Sequence, residues 1–273
     1  TSAHKERIVH FGEEELKILS EAFEGGVDWE SVKLTSIHSE VVVAVLEKLS
    51  KFPSHLKDVS QIIVSEGLHE TNSVDKGIMK RNTCFPNIEK CELIYSGPHF
   101  FCGNPIYKTP RAECLLNSDY DTLDLSSLTE NYAPRTNYTP TIPIEDFKGL
   151  ITGFANGQDS DGKTTHDNWT DYYKVGFRRM IGSTSERSLS GAILLPNCLH
   201  IGAVVSVTFK KYNQLIEFTA LTSSLVMDFY VKVLKISDIH ANRVLPFPLG
   251  IADKYKSALF VRTLMLNCLT RHY

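Results

Sequence analysis

The sequence predicts a mixed α/β (α+β) fold in which a central, largely antiparallel β region is bracketed by amphipathic helices. Three observations carry this. Apolar positions recur at helical spacing towards both ends of the chain. Two β-rich runs, residues 192–195 and 201–209, stand close together and are separated by short links of Gly, Ser, Pro and Asn. The stretch between the first helices and these runs is dense in Pro, Gly and aromatics, which marks turns and short strands.

Taken in order, Glu13–Phe23 sets Leu16, Leu19 and Phe23 on one helical face and stops at Gly25-Gly26. Residues 39–51 repeat the pattern with Val42, Val45, Leu46 and Leu49, and Pro53 ends it. Residues 61–64 and 93–95 read as strands. Residues 65–83 are mixed polar, with Lys76, Lys80 and Arg81 near their end. Residues 97–113 are turns and short strands, and 119–125 and 131–143 continue irregularly. Residues 156–167, NGQDSDGKTTHD, are the most loop-like and are expected to be mobile and dispensable for folding. Beyond the β runs, residues 212–234 read as one helix along Leu215, Phe218, Leu221, Leu225 and Phe229. VLPFP (244–248) is an extended break, and 253–269 a last amphipathic helix through Tyr255, Leu259, Leu264 and Leu269. Residues 1–60 are then a helical segment packing on a main body of residues 61–273.

At 273 residues and 42% hydrophobic content the chain can bury a sizeable core. The net charge of −3 argues against a strongly nonspecific DNA binder but permits a locally basic cleft. Six cysteines (Cys84, Cys91, Cys102, Cys114, Cys198, Cys268) contain no CxxC, which fits neither a zinc ribbon nor a thioredoxin, and read as free thiols of a reducing cytoplasm. No apolar run approaches the ~20 residues of a membrane helix. The start, TSAHKERIVHF, has no initiator Met and no targeting pattern, as expected of a piece of a longer protein.

The stretch 171–209 gathers the basic residues that suggest function. Its β runs follow a polar lead-in containing Lys174, Arg178, Arg179 and Arg187, with a hydroxyl-rich turn at 181–185 that includes Ser183, Thr184 and Ser185. Guanidinium groups bridge phosphates or guanine edges, and small hydroxyls fill in around them, so the combination suits a polyanion. The plainer reading is a sheet with a solvated charged edge. Other motifs are weaker. Asn104-Pro105-Ile106-Tyr107 approaches the Asn-Pro-Pro-Tyr of amino-methyltransferases, but no glycine-rich cofactor loop follows a strand upstream of it. Asp146-Phe147-Lys148, with Asp121 or Asp124, could form a metal-dependent nuclease core, yet it lies between Pro143 and Gly149 and reads as a solvated loop. Asp159-Ser160-Asp161-Gly162 lacks the EF-hand order, and neither HExxH nor G-x-S-x-G occurs.

Several stretches in order resemble a known family. These are GPHFFCGNPIYKTPRAECLLNSDYDTLDL, LTENYAPRTNYTP, YYKVGFRRMIGSTSERSLSGAILLPNCLHIG, ALTSSLVMDFY followed by LPFP, and LMLNCLTRHY. Over about residues 90–273 they resemble the C-terminal half of large bacterial adenine-specific DNA methyltransferases, the fused restriction–modification proteins of the type IIS/IIG class and their phage-defence relatives. The resemblance implies a target-recognition domain that reads double-stranded DNA. The chemistry would be done by an upstream methyltransferase domain of the same polypeptide, using S-adenosylmethionine; no cofactor is expected in this fragment. The resemblance carries over no base contact, but the residue types themselves point, beside the basic residues above, to Lys108 and Arg111 in one Pro/Gly-rich segment and to Arg135 and Asn137 in another, since Arg reads guanine and Asn reads adenine. The contrasting expectation is an enzyme in its own right, a metal-dependent nuclease or a stand-alone methyltransferase fragment.

Overall fold

A computed structural model of the chain describes residues 8–23, 28–32, 39–182 and 184–273, together with residues 5 and 37. The first half contains α1 (Glu13–Phe23), α2 (Glu40–Ser50), β1 (Ile62–Ser65), α3 (Glu70–Asp75), β2 (Met79–Cys84), β3 (Leu93–Tyr95), β4 (Lys108–Pro110), β5 (Tyr120–Thr122) and β6 (Thr136–Pro140). The second contains α4 (Ile144–Lys148), β7 (Thr152–Gln158), β8 (Thr164–Asn168), β9 (Lys174–Arg178), β10 (Gly191–Leu194), β11 (Cys198–His200) and β12 (Val204–Phe209). Four helices follow: α5 (Tyr212–Thr222), α6 (Leu225–Val233), α7 (Ala241–Val244) and α8 (Asp253–Asn267). The fold is mixed α/β with mainly antiparallel pairing.

The centre is an antiparallel sheet in the order β1-β12-β9-β10. Strand alternation sends Val175, Phe177, Ile193, Val205, Val207 and Phe209 to one face, where they pack with Leu215, Phe218, Met227, Val231 and Phe247. Leu19, Leu46 and Leu56 of the N-terminal segment join that same cluster. Backbone bonds from Leu56 N to Phe247 O and from Leu249 N to Ser54 O tie this segment to the C-terminal third of the chain. The opposite face carries Ala192, Leu194 and Val204, which pack on Leu93, Tyr95 and Phe100. Beyond them, β11 pairs in parallel with β3, Cys198 opposite Leu93. A third cluster around Met79, Ile94, Tyr138, Phe147 and Trp169 supports two antiparallel ribbons, β2–β6 and β7–β8; a further ribbon, β4–β5, stands beside β6.

Several expectations are corrected. Residues 174–178 are not a polar lead-in but the strand β9, between β12 and β10 in the sheet, because Lys-Val-Gly-Phe-Arg alternates between two covered faces. Gly176 is required there, since a Cβ would run into the side chain of Leu194 on β10. The single helix over 212–234 divides at Ser223-Ser224, where the Ser224 hydroxyl accepts from Met227 N at 3.2 Å and starts α6. Residues 144–148 are a helical turn with Phe147 buried, not a loop. The 244–248 break begins as the end of α7 and becomes a bridge between Pro248 and His55, so its first residues are helical rather than extended.

The 156–167 segment is likewise no free loop. Its ends form the bulged β7–β8 ribbon, Ala155 opposite His166 and Gln158 opposite Thr164. The Asp167 carboxylate accepts from Phe154 N and from the Tyr172 hydroxyl. Asp159 closes the tip through Asp161 N and Lys163 N at 3.0 and 2.9 Å. Shortening the tip at 160–162 is expected to move Tm by no more than about 2 °C, because small changes in surface-loop length cost little entropy. Deletion through Asp167 is expected to lower Tm clearly further, and thermal melts of the two variants decide it.

Candidate nucleic-acid interface

The arginines that the sequence placed at a rim are drawn inward by backbone carbonyls. Arg178 lies at the end of β9 on the sheet's second face. Its Nε donates to Gly97 O and Phe100 O at 2.9 Å each, and Nη2 to Phe100 O at 2.6 Å. Burial pushes its pKa down, although Tyr107 opposes this. Arg179 donates to Asp238 Oδ1 at 3.1 Å and to Gly202 O at 3.4 Å, and it meets His240 Nε2 at 3.2 Å. Arg187 donates to Ser223 O at 2.8 Å and Ser224 O at 3.4 Å, across the junction of α5 and α6. These three guanidinium groups hold the 97–100, 238–240 and 223–224 segments onto the sheet.

Lys174 is fully buried. Its ammonium is 3.3 Å from Leu195 O, 3.5 Å from Cys198 O and 4.2 Å from the Trp169 ring centroid, so it reaches no outside ligand. Burial lowers its pKa, and Cys198 and Cys91 oppose that. Asn137 is also buried, with Oδ1 accepting from Thr83 Oγ1 at 2.8 Å. Thr184 and Ser185 are exposed in the turn, and Ser183 lies outside the described residues.

Lys108, Arg111 and Arg135 are brought together at the β4–β5 and β2–β6 ribbons. Arg135 N donates to Thr109 Oγ1 at 3.0 Å and its Nη1 to Pro110 O at 3.3 Å, with the guanidinium 4.6 Å over the Phe85 ring. Its carbonyl accepts from His99 Nε2 at 2.8 Å. Burial pushes the His99 pKa down to about 4, which keeps the ring neutral, with Nδ1 free to accept from Ser96 N at 2.8 Å. Lys108 Nζ lies 5.3 Å from the Tyr107 centroid, and Arg178 Cζ lies 5.7 Å from the same ring. Tyr107 and Phe101, centroids 5.3 Å apart, thus link the inward arginine to the outward lysine. Arg111 is exposed and paired with Asp121 at 2.8 Å.

Two further cations stand on the β2–β6 ribbon, noted in the sequence as part of a polar run but not assigned to the site. On β2, Lys80 and Arg81 are exposed; Arg81 Nη1 donates to Leu115 O at 3.0 Å and Nη2 to Tyr138 Oη at 3.3 Å. Arg81 and Arg135 therefore clamp the β4–β5 segment to β2–β6. The signal was the polar run MKRNTC, whose charges fit the exposed side of an edge ribbon. Cations backed by aromatic rings keep their charge available while losing little rotamer freedom, a combination suited to phosphates and base faces.

The motifs of the enzyme readings are used structurally. Asn104 Oδ1 accepts from Ile106 N at 2.9 Å, and Phe101 and Asn104 exchange both backbone bonds, so NPIY forms a tight turn. Asp121 holds Arg111, Asp124 caps a 3₁₀ turn through Ser126 N at 3.0 Å, and Asp146 sits on α4. Among the described residues no group of three or more His, Cys, Asp or Glu side chains could hold a metal ion, and no helix is long and apolar enough to cross a membrane. Comparison with known proteins finds no matching family model and no matching curated protein.

Proposed function

We propose that this chain is a sequence-specific recognition module for double-stranded DNA. It would serve an N6-adenine methyltransferase or restriction–modification enzyme of the cytoplasm, with the chemistry supplied by a methyltransferase domain of the same polypeptide that carries S-adenosylmethionine. The ordered motifs of residues 90–273 support the family reading. The observation that carries DNA contact is the set of aromatic-backed cations on the β2–β6 and β4–β5 ribbons: Arg135 over Phe85, Arg81 over Tyr138 and Lys108 beside Tyr107. It displaces the expected contact surface from the 178–187 turn to the β2–β6 and β4–β5 ribbons, because Arg178, Arg179 and Arg187 are half-buried and held by Phe100 O, Asp238 and Ser223 O, whereas Arg81 stays exposed.

Binding to a panel of duplexes at low salt tests this. With a net charge of −3 and one face of the helix gripped, wild type is expected to bind at about micromolar Kd, as nonspecific complexes do. Lys108→Ala is expected to weaken every sequence alike and reduce the salt slope by about one unit. A substitution that removes a base contact would instead relax one position, at roughly 1–3 kcal/mol of discrimination. Should Arg81→Ala, Lys108→Ala and Arg135→Ala all bind like wild type, the surface is wrong. Cleavage or methyl transfer by the chain with magnesium and S-adenosylmethionine would replace the module with an enzyme.

A further inference from the structure

The last long helix leaves much of its apolar surface outside. Thr263 and Asn267 are its buried residues, with Asn267 Oδ1 accepting from Ile193 N of β10 at 2.8 Å and Nδ2 donating to Thr263 O at 2.9 Å, while Leu259, Phe260 and Leu264 are half-buried. Other apolar side chains point outward, with Met265 71%, Leu266 57%, Val261 56% and Tyr255 55% exposed. At helical spacing Ala258, Val261 and Met265 form one outward stripe, and Tyr255, Arg262 and Leu266 the next. A Cβ on Gly103 would lie 3.6 Å from Leu266 Cδ1 and 3.9 Å from Ser223 Oγ, so the start of α6, with exposed Leu225 and Val226, borders the same face. Of the line Tyr255, Leu259, Leu264 and Leu269 expected to face the core, the three leucines are half-buried and Tyr255 is exposed. A helix that leaves Tyr255, Val261, Met265 and Leu266 in solvent, beside exposed Leu225 and Val226, has apolar surface available to another partner.

The charges on this face select the occupant. Lys254 and Arg262 are exposed and make no ion pair among the described residues; Asp253 is engaged by Lys256 at 3.1 Å. A second copy docked on α8 would bring Lys254 and Arg262 of both chains together with no carboxylate of the outward stripes to meet them. The geometry points to a docking surface for a helix of a partner protein that carries an apolar stripe flanked by Asp or Glu. Apolar anchors enter between Val261, Met265 and Leu266, while Lys254 and Arg262 pair with the acidic rim. This inference is independent of the DNA reading, and the surface is formed by other elements.

The test uses the full chain and two synthetic helical peptides with one leucine stripe, flanked by Glu in the first and by Lys in the second. The Glu peptide is expected to bind at least about tenfold more tightly than the Lys peptide at low salt. Lys254→Glu/Arg262→Glu should reverse that order, and Met265→Glu should abolish binding of both while leaving the thermal melt unchanged, since the side chain is solvated. Equal binding of the two peptides overturns the proposal, as does Glu-peptide binding that survives Met265→Glu. A concentration-dependent dimer dispersed by Met265→Glu assigns the face to a second copy instead. Binding to anionic vesicles, with none to the Glu peptide, assigns it to a lipid surface and equally refutes the proposal.

Discussion

Asp228→Ala is expected to destabilise the fold by about 3–5 kcal/mol, the range for removing one partner from a buried charge cluster. Asp228, on α6, is buried beneath the 182–189 segment. Its Oδ1 accepts from Ser188 N at 2.6 Å and Leu189 N at 2.9 Å and lies 3.7 Å from Arg187 Nε, while Oδ2 pairs with Lys232 at 3.1 Å. Burial alone would raise its pKa, but the Leu189 N–H, Lys232 and the Ser188 N–H outweigh that and hold it below the ordinary carboxylate value. Its contribution is therefore complete above the unfolded pKa and is lost as pH falls through the lower folded one. Alanine strands two backbone donors and leaves the Arg187 charge without its carboxylate. Asp228→Asn keeps an acceptor and should cost clearly less. Urea unfolding of the three proteins checks this; a loss below about 1 kcal/mol for alanine would mean water replaces the carboxylate without penalty.

Mild acid is expected to unfold the protein through two histidines. His99 and His200 are both fully buried, and burial depresses each from 6.5 to about 4. His99 stands between the edges of Tyr95 and Tyr120, at 5.7 and 5.5 Å. His200 uses Nε2 with Ser206 Oγ at 2.8 Å and Nδ1 with Ile201 O at 3.1 Å. The unfolded chain takes up protons near pH 6.5 that the fold refuses until about pH 4, so stability is complete above 6.5 and declines through that window. Each ring contributes about 3 kcal/mol to the decline. Together they approach the whole stability of an ordinary domain, about 5–15 kcal/mol. His200→Gln should remove roughly half of the pH dependence of Tm between 6.5 and 4, and a flat wild-type profile there would contradict the assignment.

What could be read from the residues divides by range. Local periodicity located α1 with its limits and β3 with its limits, because helical spacing and a short apolar run are properties of neighbouring residues. Lys174–Arg178 escaped recognition because three of its five residues are Lys, Gly and Arg, and only a sheet covered on both sides makes that alternation a buried strand. Residues 156–167 looked unstructured by composition, yet cross-strand pairing and the Asp167 carboxylate order the stretch, and neither shows in a composition. At the site, Lys108, Arg111 and Arg135 were recognisable as cations. Two of the aromatic contacts were not: Phe85 under Arg135, and the sharing of the Tyr107 ring between its neighbour Lys108 and Arg178, depend on segments far apart in the chain. Asn137 illustrates the converse, a residue suited to reading adenine whose carbonyl is committed to Thr83 inside the fold.

The path of the chain through the central sheet has an engineering consequence. The chain leaves that sheet at Ser65 and returns to it at Lys174, and both flanking strands pair with β12: Ser65 opposes Ser206 from one side and Gly176 opposes it from the other. The two portals of the intervening cassette, two strand spacings apart and offset by two residues along the strands, thus stand about 12 Å apart. Closing a chain across a fixed gap costs free energy that rises only with the logarithm of its length. The frame of four strands is therefore tolerant of length changes between the portals, provided the cassette keeps Leu93, Tyr95 and Phe100, which cover the sheet's second face. The ribbons bearing Lys80, Lys108 and Arg135 also lie within that cassette, and their outer ends are the part open to remodelling while Val175, Phe177, Val205 and Val207 hold the other face.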